Sequence, residues 1–237
     1  VGYSVEGQKK HWAWMASKYH QKYGLDSPIN QMKIKRKADL IAMFTDMHND
    51  KKVLEIGCGT GLFTQYLAET KAHITAIDVS PEMMQMAINR NLKDVKYFLM
   101  DGCNISYPKD YFDIVVATYV LQWVDYKKMM QEINRVLKLD GKVAFILDNM
   151  INPVVILKRT LNIINSWWID KTHPSFLWQW ELRKVLNKSG FSNVFMESLE
   201  FVDNRDINTF IEEIPIINNF GGSLFVVATK EAENGNT

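Results

Sequence analysis

The sequence predicts an α/β domain built on an open sheet. Two observations carry this. Short apolar runs at Val53 to Ile56, His73 to Ile77, Val95 to Met100, Phe112 to Ala117 and Lys142 to Leu147 alternate with helical patterns. The first run also leads directly into a turn with glycine at positions 57, 59 and 61.

The turn sets the ligand class. Val53 to Ile56 reads as a short buried strand, and Gly57, Gly59 and Gly61 remove the Cβ atoms that would block a sharp turn and close approach of a ligand. Leu62 to Ala68 resumes as a helix, so free N–H groups are expected beside the ligand, with Glu55 at the strand end where the crevice of such a sheet opens. A dinucleotide fingerprint would need glycine at 57, 59 and 62, yet position 62 is leucine and the pattern is E-x-G-x-G-x-G. Thr64-Gln65 stands where a P-loop would place its lysine. The expected ligand is therefore a nucleoside cofactor poor in phosphate, and a nicotinamide oxidoreductase is excluded.

The string V-L-E-I-G-C-G-T-G closely resembles the first strand and turn of class I S-adenosylmethionine-dependent methyltransferases of the small-molecule type. The resemblance implies a Rossmann-like seven-stranded sheet of order 3-2-1-4-5-7-6, the last strand antiparallel, with helices on both faces. It implies S-adenosylmethionine as cofactor, held in part by Glu55, Gly57, Cys58, Gly59 and Gly61. The second strand ends in Asp78, about 20 residues past the turn, where an acid can bind both ribose hydroxyls. Val79 follows, then Ser80 and Pro81 as N-cap and first residue of a helix that brings Met83 to the site. The third strand ends in Asp101-Gly102-Cys103, similar to the family's adenine-facing turn. After the fourth strand, Thr118 to Val124 resembles the segment that lines the family's active site, with Thr118 toward the cofactor and Tyr119, Gln122 and Trp123 toward the acceptor.

Helix Lys127 to Lys138, the turn Leu139-Asp140-Gly141 and strand Lys142 to Leu147 continue the alternation. Trp180 to Ser189 reads as a helix capped by Gly190, followed by strand Phe191 to Phe201, helix Ile207 to Ile214 and strand Ser223 to Thr229. The expected organisation is a helical cap at 1–32, a cofactor core at 33–147, a lid at 148–177, the rest of the core at 178–230 and a disordered polar tail at 231–237.

The cap and the lid are expected to choose the substrate. Trp12, Met15, Ala16 and Tyr19 share a helix face, before a loop at Gly24 to Pro28 and a second helix from Lys33 to Met47. Tyr19 closes over the cofactor if the family analogy holds; otherwise Trp12 and Tyr19 form a packing face. Asn152-Pro153 starts a lid helix rich in apolar residues, with Trp167 and Trp168 near its end. Those rings either contact an apolar or aromatic acceptor or pack as core.

The sulfonium carries an activated methyl, so the protein must align the acceptor, exclude water and remove any proton. His11 in the cap and His173 in the lid are the candidate bases, although a lone histidine is also a common surface or packing residue. Gln122 stands where many relatives have histidine; it can orient an acceptor but not deprotonate it. The string Leu-Gln-Trp-Val resembles carboxyl methyltransferases of small acids and acyl-carrier-protein thioesters, whose acceptor is already ionised. A scaffold that binds the cofactor without turnover stays open as an alternative. Cys58 and Cys103 read as small packing residues, although the Cys103 N–H could face adenine. The five histidines are scattered without ligand spacing, so no metal is expected.

Composition fits a cytoplasmic enzyme of modest size. Lys plus Arg number 28 against 27 for Asp plus Glu, a net charge of +1 that gives no global attraction to nucleic acid or anionic membrane. Two cysteines argue against a disulfide framework. No apolar run reaches the roughly 18 residues of a membrane span, and Val1-Gly2-Tyr3 lacks a signal-peptide core. No Asn/Asp-Pro-Pro-Tyr-like string follows strand four, where Ala117-Thr118-Tyr119-Val120 stands instead, and no basic domain is appended, as an RNA or protein methyltransferase would require.

Overall fold

The computed structural model describes residues 4–19, 21, 27–150, 152, 178–199 and 222–231. The expected lid helix beyond Asn152, with Trp167, Trp168 and His173, lies outside them, as do the helix Ile207 to Ile214 and the tail beyond Glu231.

Seven strands form one sheet of order β3-β2-β1-β4-β5-β7-β6, as the family resemblance implied. They are β1 Lys52–Ile56, β2 His73–Asp78, β3 Val95–Leu99, β4 Phe112–Thr118, β5 Leu137–Asp148, β6 Phe191–Leu199 and β7 Ser223–Lys230. β1 to β5 pair in parallel, and β7 runs antiparallel to both β5 and β6. Among the described residues the helices are α1 Val5–Ala16, α2 Pro28–Thr45, α3 Leu62–Leu67, α4 Pro81–Ile88, α5 Tyr126–Val136 and α6 Gln179–Lys188.

Strand alternation divides the core between two faces. On β4, Ile114 and Val116 pack with α2 residues Ile34, Ala38 and Ile41. Val115 and Ala117 pack on the other face with Met129 and Ile133 of α5 and Leu182 and Leu186 of α6. Both faces are thereby covered, which is why the strands read as nearly continuous apolar runs.

Two boundaries differ from expectation. The second helix begins at Pro28 rather than Lys33, because the Ser27 hydroxyl accepts from the Asn30 amide and Pro28 occupies the first turn, where a missing N–H costs nothing. It therefore crosses the expected 32/33 division. The turn at Leu139 to Gly141 lies within β5 as an irregularity: Phe112 pairs with Leu137 and Ile114 with Lys142, so the intervening residues bulge out. Asp140 takes a left-handed φ of 59° there.

Candidate functional site

The glycine turn sits at the carboxyl end of β1, between β2 and β4. Gly57, Gly59 and Gly61 have φ of 71°, 54° and 75°, a region that favours glycine. A Cβ on Gly57 would overlap the Cγ2 methyl of Val120, so the turn and the segment after β4 are in close contact. A Cβ on Gly61 would press on Ala87 at 3.1 Å, which makes that glycine the point of contact with α4.

The expectation of free amides in this turn is corrected. Gly57 and Cys58 both donate to the Ile77 carbonyl, at 2.7 and 3.0 Å, and Gly61 donates to the Cys58 carbonyl at 2.9 Å. Gly59 donates to Asp78 Oδ2 at 2.8 Å. The strand ends and an acidic side chain take up these donors, so the four amides form no cradle for phosphate. The ligand class read from the sequence keeps its support by a different route.

Asp78 also accepts from the Ser80 amide at 2.9 Å. Burial pushes its carboxyl above the usual value, and the Ser80, Gly59 and Val79 amides partly hold it down. Two oxygens so placed retain further lone pairs for donors arriving from the cavity. Glu55 lies wholly buried beneath the turn, and neither of its oxygens has a hydrogen-bond partner. Burial pushes its carboxyl up to about 7; Thr64 is the neighbour that opposes the shift and Asp78 reinforces it. The Thr64 hydroxyl itself makes no hydrogen bond. Asp101 caps its own turn by accepting from the Cys103 amide at 2.9 Å. A Cβ on Gly102 would lie 2.5 Å from Ile56 Cγ2 and 3.1 Å from Met129 Cε, so this second turn is also closely packed.

A cleft opens at this edge of the sheet. Its lining includes Gly57, Gly59, Asp78, Val79, Asp101 and Gly102, with Met83, Met100 and Met129. It also includes Trp12, Tyr19, Tyr119, Val120, Trp123 and Val124, and Met83 packs in one cluster with Trp12 and Tyr19. Thr118 and Gln8 complete the lining with Ile56. The aromatic rings form a built cluster: Trp12 meets Trp123 edge-on at 5.2 Å and Tyr19 at 6.1 Å, and His11 stacks on Trp123 at 5.5 Å.

The structure thus gathers Tyr19, Gly57, Gly59, Asp78, Val79, Met83, Asp101, Gly102, Thr118, Tyr119 and Trp123 around one space. Glu55, Cys58, Gly61, Cys103 and Gln122 are not in its lining. Gln122 is buried, and its side-chain oxygen has no partner. His11 also stays out of the lining and backs Trp123. The Cys58 and Cys103 thiols are both pushed up, chiefly by burial, the latter to about 12, which makes them poor nucleophiles. Among the described residues no cluster of three or more His, Cys, Asp or Glu could hold a metal, and no helix is long and apolar enough to cross a membrane.

Gln8, Met100 and Met129 were not anticipated. Gln8 shares the helix face of Trp12, four residues on, so its placement was available from the periodicity. Met100 and Met129 reach the cavity through tertiary packing and leave no local signal.

The residues present fit a nucleoside cofactor. The close contact at Gly57, the buried acid Asp78 and the tight turn at Gly102 form a slot whose described lining holds carboxylate acceptors and no lysine, arginine or histidine.

Residues 54–145 match the family described as a methyltransferase domain. Over 98 residues, 40% of the chain, it is 35% identical to a malonyl-[acyl-carrier protein] O-methyltransferase of Bacillus anthracis, of which the match covers 36%. It is 36% identical over 100 residues to a demethylmenaquinone methyltransferase of Corynebacterium urealyticum, covering 42% of each chain. The chain thus spans less than half the length of these two curated relatives. Among solved structures, it superposes on a chain of the complex between the Haloferax volcanii Trm112 methyltransferase activator and a methyltransferase. That match has a TM-score of 0.71 at 17% identity and covers 93% of this chain and 98% of the other. The family match thus spans β1 to β5, and the sheet order is that of the Rossmann-like methyltransferase fold.

Proposed function

We propose that the chain transfers a methyl group from S-adenosylmethionine to a small, apolar or aromatic metabolite by in-line displacement. The observation that carries this is a single cleft whose lining joins the acids Asp78 and Asp101 and two close-packed glycine turns to a cluster of aromatic rings. S-Adenosylmethionine, when bound, supplies a methyl on a sulfonium sulfur that needs no metal or covalent nucleophile.

The protein supplies position. Asp78, already fixed by the Gly59 and Ser80 amides, accepts from the ribose hydroxyls, and Asp101 accepts from the adenine amine. Trp12 on α1 and Tyr19 just beyond its end cover the slot and exclude water, while Trp123 and Tyr119 flank the acceptor. The lid at 148–177, with Trp167 and Trp168, is proposed to complete the acceptor side. The proposed compartment is the cytoplasm, supported by Cys58 and Cys103 both being free thiols.

A second reading has its own support. No histidine, lysine or arginine is in the cleft's described lining. That lining suits an acceptor that is already ionised, such as the carboxyl group of a small acid or acyl thioester, for which Gln122 need only be a neutral neighbour.

Incubation with S-adenosylmethionine labelled on the methyl, in a metabolite extract, tests the proposal. A labelled apolar or aromatic product is expected. A base-labile labelled ester would favour the carboxyl reading, and cofactor binding without any labelled product would favour a scaffold.

A further inference from the structure

Tyr119 is a non-glycine residue held in the left-handed region, with φ of 57°, at the first position after β4. Such a conformation persists only where the surroundings hold it, and here three hydrogen bonds do. Its amide donates to the Ile146 carbonyl of β5 at 2.6 Å. Its hydroxyl accepts from Lys37 Nζ of α2 at 2.7 Å and shares a hydrogen bond with the Ser223 hydroxyl of β7 at 2.9 Å. These partners lie 82 and 104 residues away in sequence.

Lys37 is only 6% exposed. Burying an ammonium is costly unless it is well bonded, so its contact with a phenol beside the cleft is a substantial commitment of the fold. Neither Lys37 nor Ser223 is in the cleft's lining, whereas Tyr119 is.

The conformation at 119 decides where the next residue goes. Val120 places its Cγ2 methyl in the space that the missing Gly57 side chain leaves, and its carbonyl accepts from the Trp123 amide at 2.8 Å. Thr118, Tyr119, Val120, Trp123 and Val124, all wall residues, therefore hang from one strained turn.

We propose that Lys37 and Ser223 are positioning residues that act through the Tyr119 hydroxyl, locking the left-handed turn so that Val120 packs on Gly57 and joins the cofactor slot to the acceptor wall. The functional consequence rests on the methyltransferase reading, but the positioning itself does not.

Two measurements on the full chain test it. In the ligand-free protein with labelled valine methyls, Lys37→Met and Tyr119→Phe should each shift the Val120 methyl signals, and Lys37→Arg should restore them. Calorimetric titration with S-adenosylhomocysteine should show about tenfold weaker binding in each single variant, with the double variant no weaker than the worse single, because the two residues act through one bond. Tyr119→Phe keeps the ring and guards against a folding defect from losing the lysine. Val120 signals unchanged in both variants, or affinity losses that multiply in the double variant, would overturn the proposal. Shifted Val120 signals in a protein that binds no S-adenosylhomocysteine would sustain the positioning role and reject the cofactor reading instead.

Discussion

The Asp78 carboxylate accepts from the Gly59 amide at 2.8 Å, tying the end of β2 to the centre of the glycine turn after β1. The acid expected to meet the ribose thus also holds the loop that shapes the slot.

Asp78→Asn should therefore lose on two counts. An amide presents one oxygen and one NH₂, so one of the Gly59 and Ser80 amides would face a donor and remain unpaired. The expected cost is about 1–3 kcal/mol of stability, with cofactor affinity falling by at least tenfold. Urea unfolding and calorimetric titration check the two effects separately.

Gly57→Val should abolish cofactor binding, since the new side chain would overlap Val120 and would have to adopt a φ of 71°. A companion Val120→Ala change should recover part of the stability but little of the affinity, because the backbone strain, of order 1–3 kcal/mol, remains. Melting temperatures of the single and double variants report the first effect, and titration reports the second.

Glu55 should impose a pH slope on stability. Its carboxyl ionises at about 7 in the folded protein against an ordinary 4.5. Between those values the folded state holds a proton that the unfolded state has released, so stability falls as pH rises through the window and levels off above about 7. The loss is on the order of 3 kcal/mol, an upper figure for a fully buried group. Glu55→Gln should lack this slope; wild-type and variant curves that stay parallel from about pH 4 to about pH 8 would contradict it.

The two thiols should be silent in the native state. Cys58 and Cys103 are buried and their ionisation is suppressed, so a thiol reagent should label neither until denaturant is added. Rapid labelling of the native protein would show that the turn at 57–61 opens readily.

The parts of this architecture that rest on local chemistry were legible in the sequence. An apolar strand, a turn with glycine at 57, 59 and 61, and a helix resuming at Leu62 announce themselves within a few residues. Asp78 and Asp101 follow as strand ends. The amides of the turn were misread because an isolated glycine loop looks like a row of free donors, whereas Ile77 and Asp78, brought alongside by parallel pairing, take them up. The start of α2 was set by Ser27 and Pro28, a cap signal that the search for apolar periodicity passed over. The tie from Lys37 to Tyr119 and Ser223 was beyond reach, since no local pattern links residues so far apart. Met129 likewise reaches the cleft only because α5 packs beneath Gly102.

Titration of the full chain with S-adenosylhomocysteine, repeated on Asp78→Ala, tests the central claim most directly. A single saturable site that is lost in the variant is predicted. Absence of binding to the unaltered chain, or binding that survives the loss of Asp78 undiminished, would contradict the placement of the cofactor between Gly57 and Asp78.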